Sequence, residues 1–163
     1  MRIDLAIGIL LSIWLAACST PSSPGGPRGP DGTPAPKATL ASEQRRLAEL
    51  FRGTPVEFEM QRDGSLRITV PLTFAFDKGR FVVKPPLAKV LDLVARSQRS
   101  EASRFTVSAP TDPQSKALVL ATERANSTRD YLVSRGISPT RFTASAASTG
   151  EEVVIVVADS AAH

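Results

Sequence analysis

The sequence predicts an α/β (α+β) sandwich, in which a mixed sheet of four or five strands carries two main helices on one face. Two observations predict this class. Strand and helix patterns alternate along the chain from residue 66 to residue 158, as in proteins whose helices pack against a sheet. The chain has 163 residues, 42% of them hydrophobic, which is enough for one domain with tails. A further helix and a β-hairpin are predicted before this core.

The first 17 residues are typical of a secretory signal peptide. Residues 5–17 are an apolar run that is too short to span a bilayer as a helix of the processed protein. The run ends in the letters LAAC, with Cys18 last, and this motif resembles the lipobox of bacterial lipoproteins. The resemblance implies cleavage before Cys18 and acylation of its thiol and new amino group. An ordinary signal peptide followed by an unrelated cysteine is the alternative.

Cys18 is the only cysteine of the chain, so no internal disulfide can form even in an oxidising compartment. Several acyl chains on one residue would anchor the protein firmly, whereas a single chain binds a membrane only marginally. Ser19 follows Cys18, and by resemblance to enterobacterial lipoproteins this favours the outer membrane. We therefore expect an outer-membrane lipoprotein whose folded part faces the periplasm.

Residues 18–38 are predicted to be a tether. The stretch from Ser19 to Ala38 contains six prolines, four glycines and no large apolar side chain, so it has nothing to bury. A flexible coil of this length would average roughly 25 Å, and a polyproline II segment would reach roughly 60 Å. The reach suffices to lift a domain from a membrane towards a cell wall. A spacer with no required length is the alternative.

Residues 39–65 are predicted to form a helix and the first strand of a hairpin. Ser42 resembles a helix cap, and Gly53 stops the helical pattern. Two segments that alternate in polarity then flank Asp63-Gly64, a pair typical of hairpin turns. The alternation continues beyond Pro71 at Leu72, Phe74 and Phe76. The second arm is therefore predicted to be long and bent, or to lie at an edge of the sheet.

The remaining elements follow in order. A helix is predicted from Pro85 to about Arg99, and its core face consists of Leu87, Val90, Leu91 and Val94. A second helix is predicted over residues 114–135, with Gly136 as its left-handed terminator and a core face of Leu118, Ala121, Ala125, Thr128 and Leu132. Strands are predicted at residues 105–109, 141–145 and 152–157. The apolar run 153–157 predicts a strand covered on both faces, and residues 159–163 a disordered tail.

One stretch carries a family resemblance. The strand at residues 105–109 is followed by Thr111-Asp112, a loop, and the helical letters LATERA at residues 120–125. This order resembles the OmpA-like domain of the peptidoglycan-associated lipoprotein type, in which a strand and Thr-Asp precede Leu-Ser-x-x-Arg-Ala on a helix. The resemblance covers residues 66–158 and implies a βαβαβ core and no cofactor.

The resemblance also implies a ligand. OmpA-like domains bind peptidoglycan through the diaminopimelate of the stem peptide, whose side chain ends in an ammonium and a carboxylate. By resemblance Asp112 would accept from the ammonium, Arg124 would hold the carboxylate by two parallel bonds, and Thr111 would shape the turn. We expect Asp112 and Arg124 to face one open cleft, with a gap the size of an amino-acid head group between them.

The chain departs from the family pattern around this motif. Ala109 and Pro110 replace the glycine and the His or Tyr that usually precede Thr-Asp, and Ala117 replaces an asparagine. The ligand loop between Asp112 and Arg124 is about three residues shorter than the family pattern, and the family's loop and helix before the last strand are missing. The alternative is therefore an OmpA-like scaffold that has lost wall binding and acts in protein interaction or envelope assembly, with other envelope proteins as partners.

Other classes are disfavoured by composition. The only histidine is His163 in the tail, so no imidazole base is available for nucleophilic catalysis, and the carboxylates show no metal-ligand spacing. We therefore expect no enzyme and no metal site. The net charge of +4 is spread over the chain without a basic stripe or interleaved aromatic residues, so no nucleic-acid partner is expected.

Overall fold

The computed structural model describes residues 39–115 and 117–160. The predicted signal peptide, Cys18, the tether up to residue 38 and the last three residues of the predicted tail lie outside the described residues. Among the helices of the described part, none combines the length and the apolar character that crossing a bilayer requires.

Five strands form one mixed sheet in the order β1-β2-β5-β3-β4. The strands are β1 Glu57–Met60, β2 Leu66–Pro71, β3 Arg104–Pro110, β4 Phe142–Ser148 and β5 Glu152–Ala158. Strands β3 and β4 are parallel, and every other neighbouring pair is antiparallel. The predicted mixed sheet and the hairpin between β1 and β2 are confirmed. The hairpin turn is closed by the Ser65 N–H, which donates to the Asp63 carboxylate at 2.9 Å.

Within the described residues, four α-helices and a short 3-10 turn complete the fold. They are α1 Leu40–Leu50, α2 Leu72–Ala75, α3 Pro85–Gln98, α4 Leu118–Ser134 and the 3-10 turn Pro139–Arg141. The two main helices are α3 and α4, as predicted. The four predicted core residues of α3 are all buried, because apolar residues three and four positions apart share one face. After α4, Gly136 has a φ of 98°, the left-handed conformation expected of a terminator.

The core lies on one face of the sheet. In the central strand β5, Val153, Ile155 and Val157 are fully buried, whereas Val154 and Val156 between them are only half-buried. Successive side chains of a strand point to opposite faces, so the helices cover one face and leave the other partly open. The prediction of a strand covered on both faces is therefore wrong.

Helix α1 begins two residues before the predicted cap. Thr39 is the N-cap, and its side-chain oxygen accepts from the Ser42 N–H at 3.2 Å. The prediction of Ser42 as the cap is therefore wrong, because Leu40 is drawn into the helix and buried against the core. Threonine is nearly as good an N-cap as serine, so the sequence offered two competing starts.

The second hairpin arm ends earlier than predicted. Strand β2 stops at Pro71, and Leu72 begins the single turn α2. Pro71 closes an inner strand between β1 and β5, so the prediction of a long arm or an edge strand is wrong. The Leu72 N–H donates to the Glu151 carbonyl at 3.1 Å, which ties the start of α2 to the residue before β5.

Helix α4 is shorter than predicted and buries a different face. It begins at Leu118 rather than at residue 114, because the residues before it form a hydrogen-bonded loop in which the Ser115 N–H donates to the Asp112 carbonyl at 2.8 Å. Leu118 is 63% exposed, whereas Arg124 is fully buried. The assignment of Leu118 to the core face is therefore wrong, and Arg124 occupies that face instead.

Candidate functional site

The candidate site lies at one end of the strands, where the last residues of β2, β3 and β4 meet the first residue of β5. Pro71 at the end of β2 pairs with Glu152 at the start of β5, and Pro110 at the end of β3 pairs with Ser148 at the end of β4. The loops that leave these ends are therefore neighbours. They bring the segment 111–115, the segment 149–151 and the loop after α2 to the same place.

Arg124 is the buried centre of this region. Its side chain has no exposed surface, and its guanidinium makes four hydrogen bonds. Three of them go to backbone carbonyls: Arg80 at 2.9 Å, Pro110 at 3.0 Å and Asp77 at 3.2 Å. The guanidinium also lies 5.5 Å from the centre of the Phe76 ring, within the range of a cation–π contact. A single side chain thus joins α4 to two loops.

Asp112 completes the set of partners. Its Oδ1 accepts from Arg124 Nη2 at 2.6 Å, and its Oδ2 accepts from the Gly79 N–H at 2.8 Å. The bond from Arg124 is the main reason why the pKa of Asp112 lies below its ordinary value, and the bond from Gly79 adds to the effect, while burial opposes both. Asp112 is therefore held as a carboxylate, with 12% of its side chain exposed.

The expected gap between Asp112 and Arg124 does not exist. The two side chains form a closed ion pair, and Arg124 does not reach solvent. The expectation of an open cleft with both charges free is wrong. In the loop after α2, the carbonyls of Asp77 and Arg80 accept hydrogen bonds from the buried guanidinium. The sequence did contain a signal for this burial. Arg124 stands three residues after Ala121 and four before Thr128, on the same helical face.

Thr111 has a local role in this geometry. Its hydroxyl donates to the Ala117 carbonyl at 3.2 Å, across the loop that precedes α4. The Ala117 N–H in turn donates to the Ser115 hydroxyl at 3.1 Å. These two bonds hold the ends of the shortened loop together before α4.

Two clefts flank the exposed edge of Asp112. The larger has a volume of about 470 Å³ and an apolar wall that includes Leu72, Phe76 and Pro113. Lys78 and Glu151 bring charge to the same cleft. The smaller has a volume of about 240 Å³ and is lined mostly by polar groups of the segments 111–115 and 148–151. Asp112, Pro113 and Glu151 line both clefts, so the two clefts are adjacent.

Sequence reasoning missed Lys78, Gly79 and Glu151. Gly79 has a φ of 68°, and this left-handed turn directs its N–H to Asp112. A Gly after Asp77-Lys78 was the available signal for such a turn. Glu151 enters the cleft because only three residues, 149–151, connect β4 to β5. Nothing in its local sequence indicates that position.

Metal binding has no support in the described residues. No group of three or more histidine, cysteine, aspartate or glutamate side chains comes together within residues 39–115 and 117–160. The side chains at the site offer hydrogen bonds and charge beside an apolar wall. Such a cleft can bind a small polar group non-covalently.

Comparisons with solved structures show that other proteins share this fold. A MotB-like protein of Desulfovibrio vulgaris superposes with a TM-score of 0.60 at 14% identity, covering 74% of this chain and 92% of that one. The cell wall anchor of the type VI secretion system of Pseudomonas aeruginosa gives 0.59 at 18% identity, covering 76% and 99%. The periplasmic domain of Helicobacter pylori MotB gives 0.55 at 15% identity, covering 77% and 86%. At these identities the likeness is one of fold.

The sequence comparisons identify the family directly. None of the curated proteins compared with this chain matches it. The model of the OmpA family matches residues 75–161, more than half of the chain. The resemblance predicted from the Thr-Asp and LATERA motifs is thereby confirmed, and the chain belongs to the OmpA family.

Proposed function

We propose that this OmpA-family domain binds peptidoglycan non-covalently through the diaminopimelate of the stem peptide. One observation carries the proposal: Asp112 is held as a carboxylate at the boundary of an open cleft of about 470 Å³. A carboxylate fixed by Arg124 and Gly79 needs no reorganisation to accept a further bond, and such preorganisation favours binding. The structural neighbour from Pseudomonas aeruginosa is described as a cell wall anchor, which agrees with this role.

In this proposal the three motif residues have different tasks. Asp112 accepts a hydrogen bond from the ligand ammonium with the lone pairs that Arg124 and Gly79 leave free, since a carboxylate offers about four acceptor positions. Arg124 positions Asp112 and keeps it charged, without touching the ligand. Thr111 holds the loop through its bond to Ala117. No catalytic step and no cofactor is required.

The same proposal includes the anchor. With its signal peptide removed and Cys18 acylated, the protein would be held in the outer membrane by several acyl chains. The tether of residues 18–38 would then let the domain reach the wall from the periplasmic side. The protein would join the envelope to the wall by two non-covalent attachments, one to lipid and one to peptidoglycan.

A second function is favoured by one specific observation. The guanidinium of Arg124 makes its four hydrogen bonds to groups of the protein itself. Arg124 and Asp112 would therefore form the same ion pair in a domain that binds no peptidoglycan. In that case the domain would act as an interaction module for other envelope proteins, and wall binding would be absent. The two functions differ in whether the protein retains affinity for purified wall.

Co-sedimentation with purified sacculi separates the two. The full chain, kept soluble in mild detergent, should sediment with diaminopimelate-containing sacculi, and a soluble stem peptide should release it. Asp112→Asn should weaken binding by about tenfold or more, since charge-assisted bonds are roughly twice as strong as neutral ones. Asp130→Asn, on the exposed surface of α4, is the control and should bind as the wild type does. A wild-type protein that stays in the supernatant would leave only the scaffold function.

A further inference from the structure

We infer that Lys78 and Glu151, rather than Arg124, recognise the two charges of a zwitterionic ligand end in the larger cleft. Lys78 would bind the carboxylate, and Glu151 would bind the ammonium together with Asp112, which accepts one of its hydrogen bonds. The inference rests on the proposed function and deepens it, because it names the residues that decide which wall peptides the domain prefers. According to this inference, the domain prefers a peptide with an additional carboxylate because Lys78 binds that carboxylate.

The charges lining the cleft point to this pair. Asp112 is neutralised by Arg124 at 2.6 Å, and nearby Asp77 pairs with Lys84 at 3.0 Å. Lys78 and Glu151 are both exposed, and within the described residues neither takes part in an ion pair. They are thus one positive and one negative charge left for a ligand. A ligand end with one charge of each sign matches them without leaving excess charge.

The backbone around both residues is fixed before any ligand arrives. Lys78 precedes Gly79, whose N–H is held by Asp112 at 2.8 Å. The Glu151 carbonyl accepts from the Leu72 N–H at 3.1 Å. Each side chain therefore starts from a defined point at the rim of the cleft, and only its own rotamers remain to be ordered. This lowers the entropic cost of using two surface charges for recognition.

Lys78 lies near Asp112, because both line the larger cleft and Lys78 precedes Gly79, whose N–H donates to Asp112. The pKa of Asp112 is lowered chiefly by the bond from Arg124 and also by the bond from Gly79, and the positive charge of Lys78 adds to the effect. Leu72, Phe76 and Pro113 form the apolar wall of the same cleft. The methylene groups of an amino-acid side chain could lie along this wall while its charged end meets the rim.

Two soluble stem peptides test the inference on the full chain. One carries meso-diaminopimelate as its third residue, and the other carries lysine there, which keeps the ammonium and lacks the second carboxylate. The variants are Lys78→Gln and Glu151→Gln. Their controls are Lys89→Gln, exposed on α3, and Glu152→Gln, exposed at the start of β5 and outside both clefts. Affinity is measured by calorimetry or by fluorescence anisotropy of labelled peptide.

We expect the wild type to prefer the diaminopimelate peptide by about three- to tenfold, which lies between the effect of an exposed surface pair and that of a close interfacial charge pair. Lys78→Gln should abolish the preference, because it should lower the affinity for the diaminopimelate peptide only. Glu151→Gln should weaken both peptides by about the same factor, because both retain the ammonium. Each control should stay within about twofold of the wild type.

The failures of the two proposals are distinguishable. If the wild type binds sacculi and both variants behave as their controls do, the inference is wrong and wall binding stands. If Lys78→Gln weakens both peptides equally, Lys78 does not read the second carboxylate, and the inference is likewise wrong. If the wild type binds neither sacculi nor peptide, the proposed function fails and the inference fails with it.

Discussion

Arg124 and Asp112 form a closed ion pair whose nearest atoms lie 2.6 Å apart, with no exposed surface on the arginine and 12% on the aspartate side chain. Removing two charges from water costs several kcal/mol, and the mutual attraction offsets this only when further hydrogen bonds satisfy the remaining groups. Here three carbonyls and the Gly79 N–H do so. The pair therefore fixes how the loop after α2 meets the end of β3.

The first prediction concerns the fork of Arg124. Arg124→Lys keeps the charge but cannot reach three separate carbonyls and a carboxylate, because an ammonium lacks the planar fork of a guanidinium. We expect a loss of about 2–4 kcal/mol in the free energy of unfolding, from lost charge-assisted bonds and unsatisfied buried carbonyls. Urea unfolding of the full chain, followed by circular dichroism, measures it.

The control for that prediction lies on the same helix. Arg129 pairs with its neighbour Asp130 at 2.8 Å and is partly exposed, so Arg129→Lys should change the free energy of unfolding by no more than about 0.5 kcal/mol. Equal effects of the two substitutions would show that the burial of Arg124 contributes nothing to stability.

The second prediction concerns acid. The pKa of Asp112 is lower in the folded protein than its ordinary value, chiefly through the bond from Arg124. Its contribution to stability is therefore fully present above an unfolded pKa of about 4 and is lost as the pH falls through the lower folded pKa. Asp112→Asn should be less stable than the wild type at neutral pH, and the difference should narrow below about pH 4.

Urea unfolding at neutral pH and at about pH 3 measures this narrowing. Asp130→Asn serves as the comparison, because Asp130 is exposed and its pair with Arg129 involves adjacent residues. A difference between wild type and Asp112→Asn that stays constant with pH would contradict the prediction, since it would mean that the charge of Asp112 does not stabilise the fold.

Much of the fold could be predicted because its signals are local. The apolar face of α3 and the Asp63-Gly64 turn depend on residues a few positions apart, and both were found. The end of the second hairpin arm depends on a distant partner, because Leu72 leaves the strand conformation where its N–H binds Glu151. The predicted start of α4 was wrong for a local reason, because Thr111 donates to the Ala117 carbonyl just before the helix.

The site was predictable in its members but not in its geometry. The order of Thr111, Asp112 and Arg124 along the chain indicated the pair. Its closure depends on the carbonyls of Asp77 and Arg80, more than 40 residues before Arg124. Arginine is rarely fully buried unless it is paired, so an exposed Arg124 was the natural expectation. The position of Arg124 on the same face of α4 as Ala121 and Thr128 argued against that expectation.

The third prediction tests the corrected face of α4. Leu132 is fully buried and Leu118 is 63% exposed, although both fit the predicted core face. Leu132→Ala should cost about 2–5 kcal/mol in the free energy of unfolding, because it leaves a cavity. Leu118→Ala should change it by less than about 0.5 kcal/mol. Denaturation of both variants in one series measures the two free energies of unfolding. Equal losses would show that Leu118 belongs to the core.

The fourth prediction concerns the proposed anchor. If Cys18 is acylated, the wild-type protein should partition with membranes and carry acyl mass on its first residue after processing. Cys18→Ala should release it into the soluble fraction or stall its processing, because no other cysteine can replace it. Ser19→Ala is the matched control and should leave partitioning unchanged. A soluble wild-type protein without acyl mass, as shown by mass spectrometry, would contradict the anchor.

The last prediction concerns the end of α4. Gly136 has a φ of 98°, and a Cβ added there would lie 3.0 Å from Arg99 Nε. Gly136→Ala should therefore cost about 1–2 kcal/mol for the left-handed backbone, and more if Arg99 must move, because Arg99 donates to the Arg135 carbonyl at 2.9 Å. Gly53 has a similar φ of 80° with open space around its Cβ position, so Gly53→Ala isolates the backbone cost.

Adding Arg99→Ala to Gly136→Ala separates the contact from the backbone. If the contact with Arg99 contributes, the double variant should be more stable than the sum of the two single losses predicts, by roughly 0.5–1 kcal/mol. Chemical denaturation of the four proteins of this cycle measures the coupling. Strict additivity would show that Arg99 moves aside freely. The cost of Gly136→Ala should then match that of Gly53→Ala, because both would consist only of the cost of a left-handed backbone at a residue other than glycine.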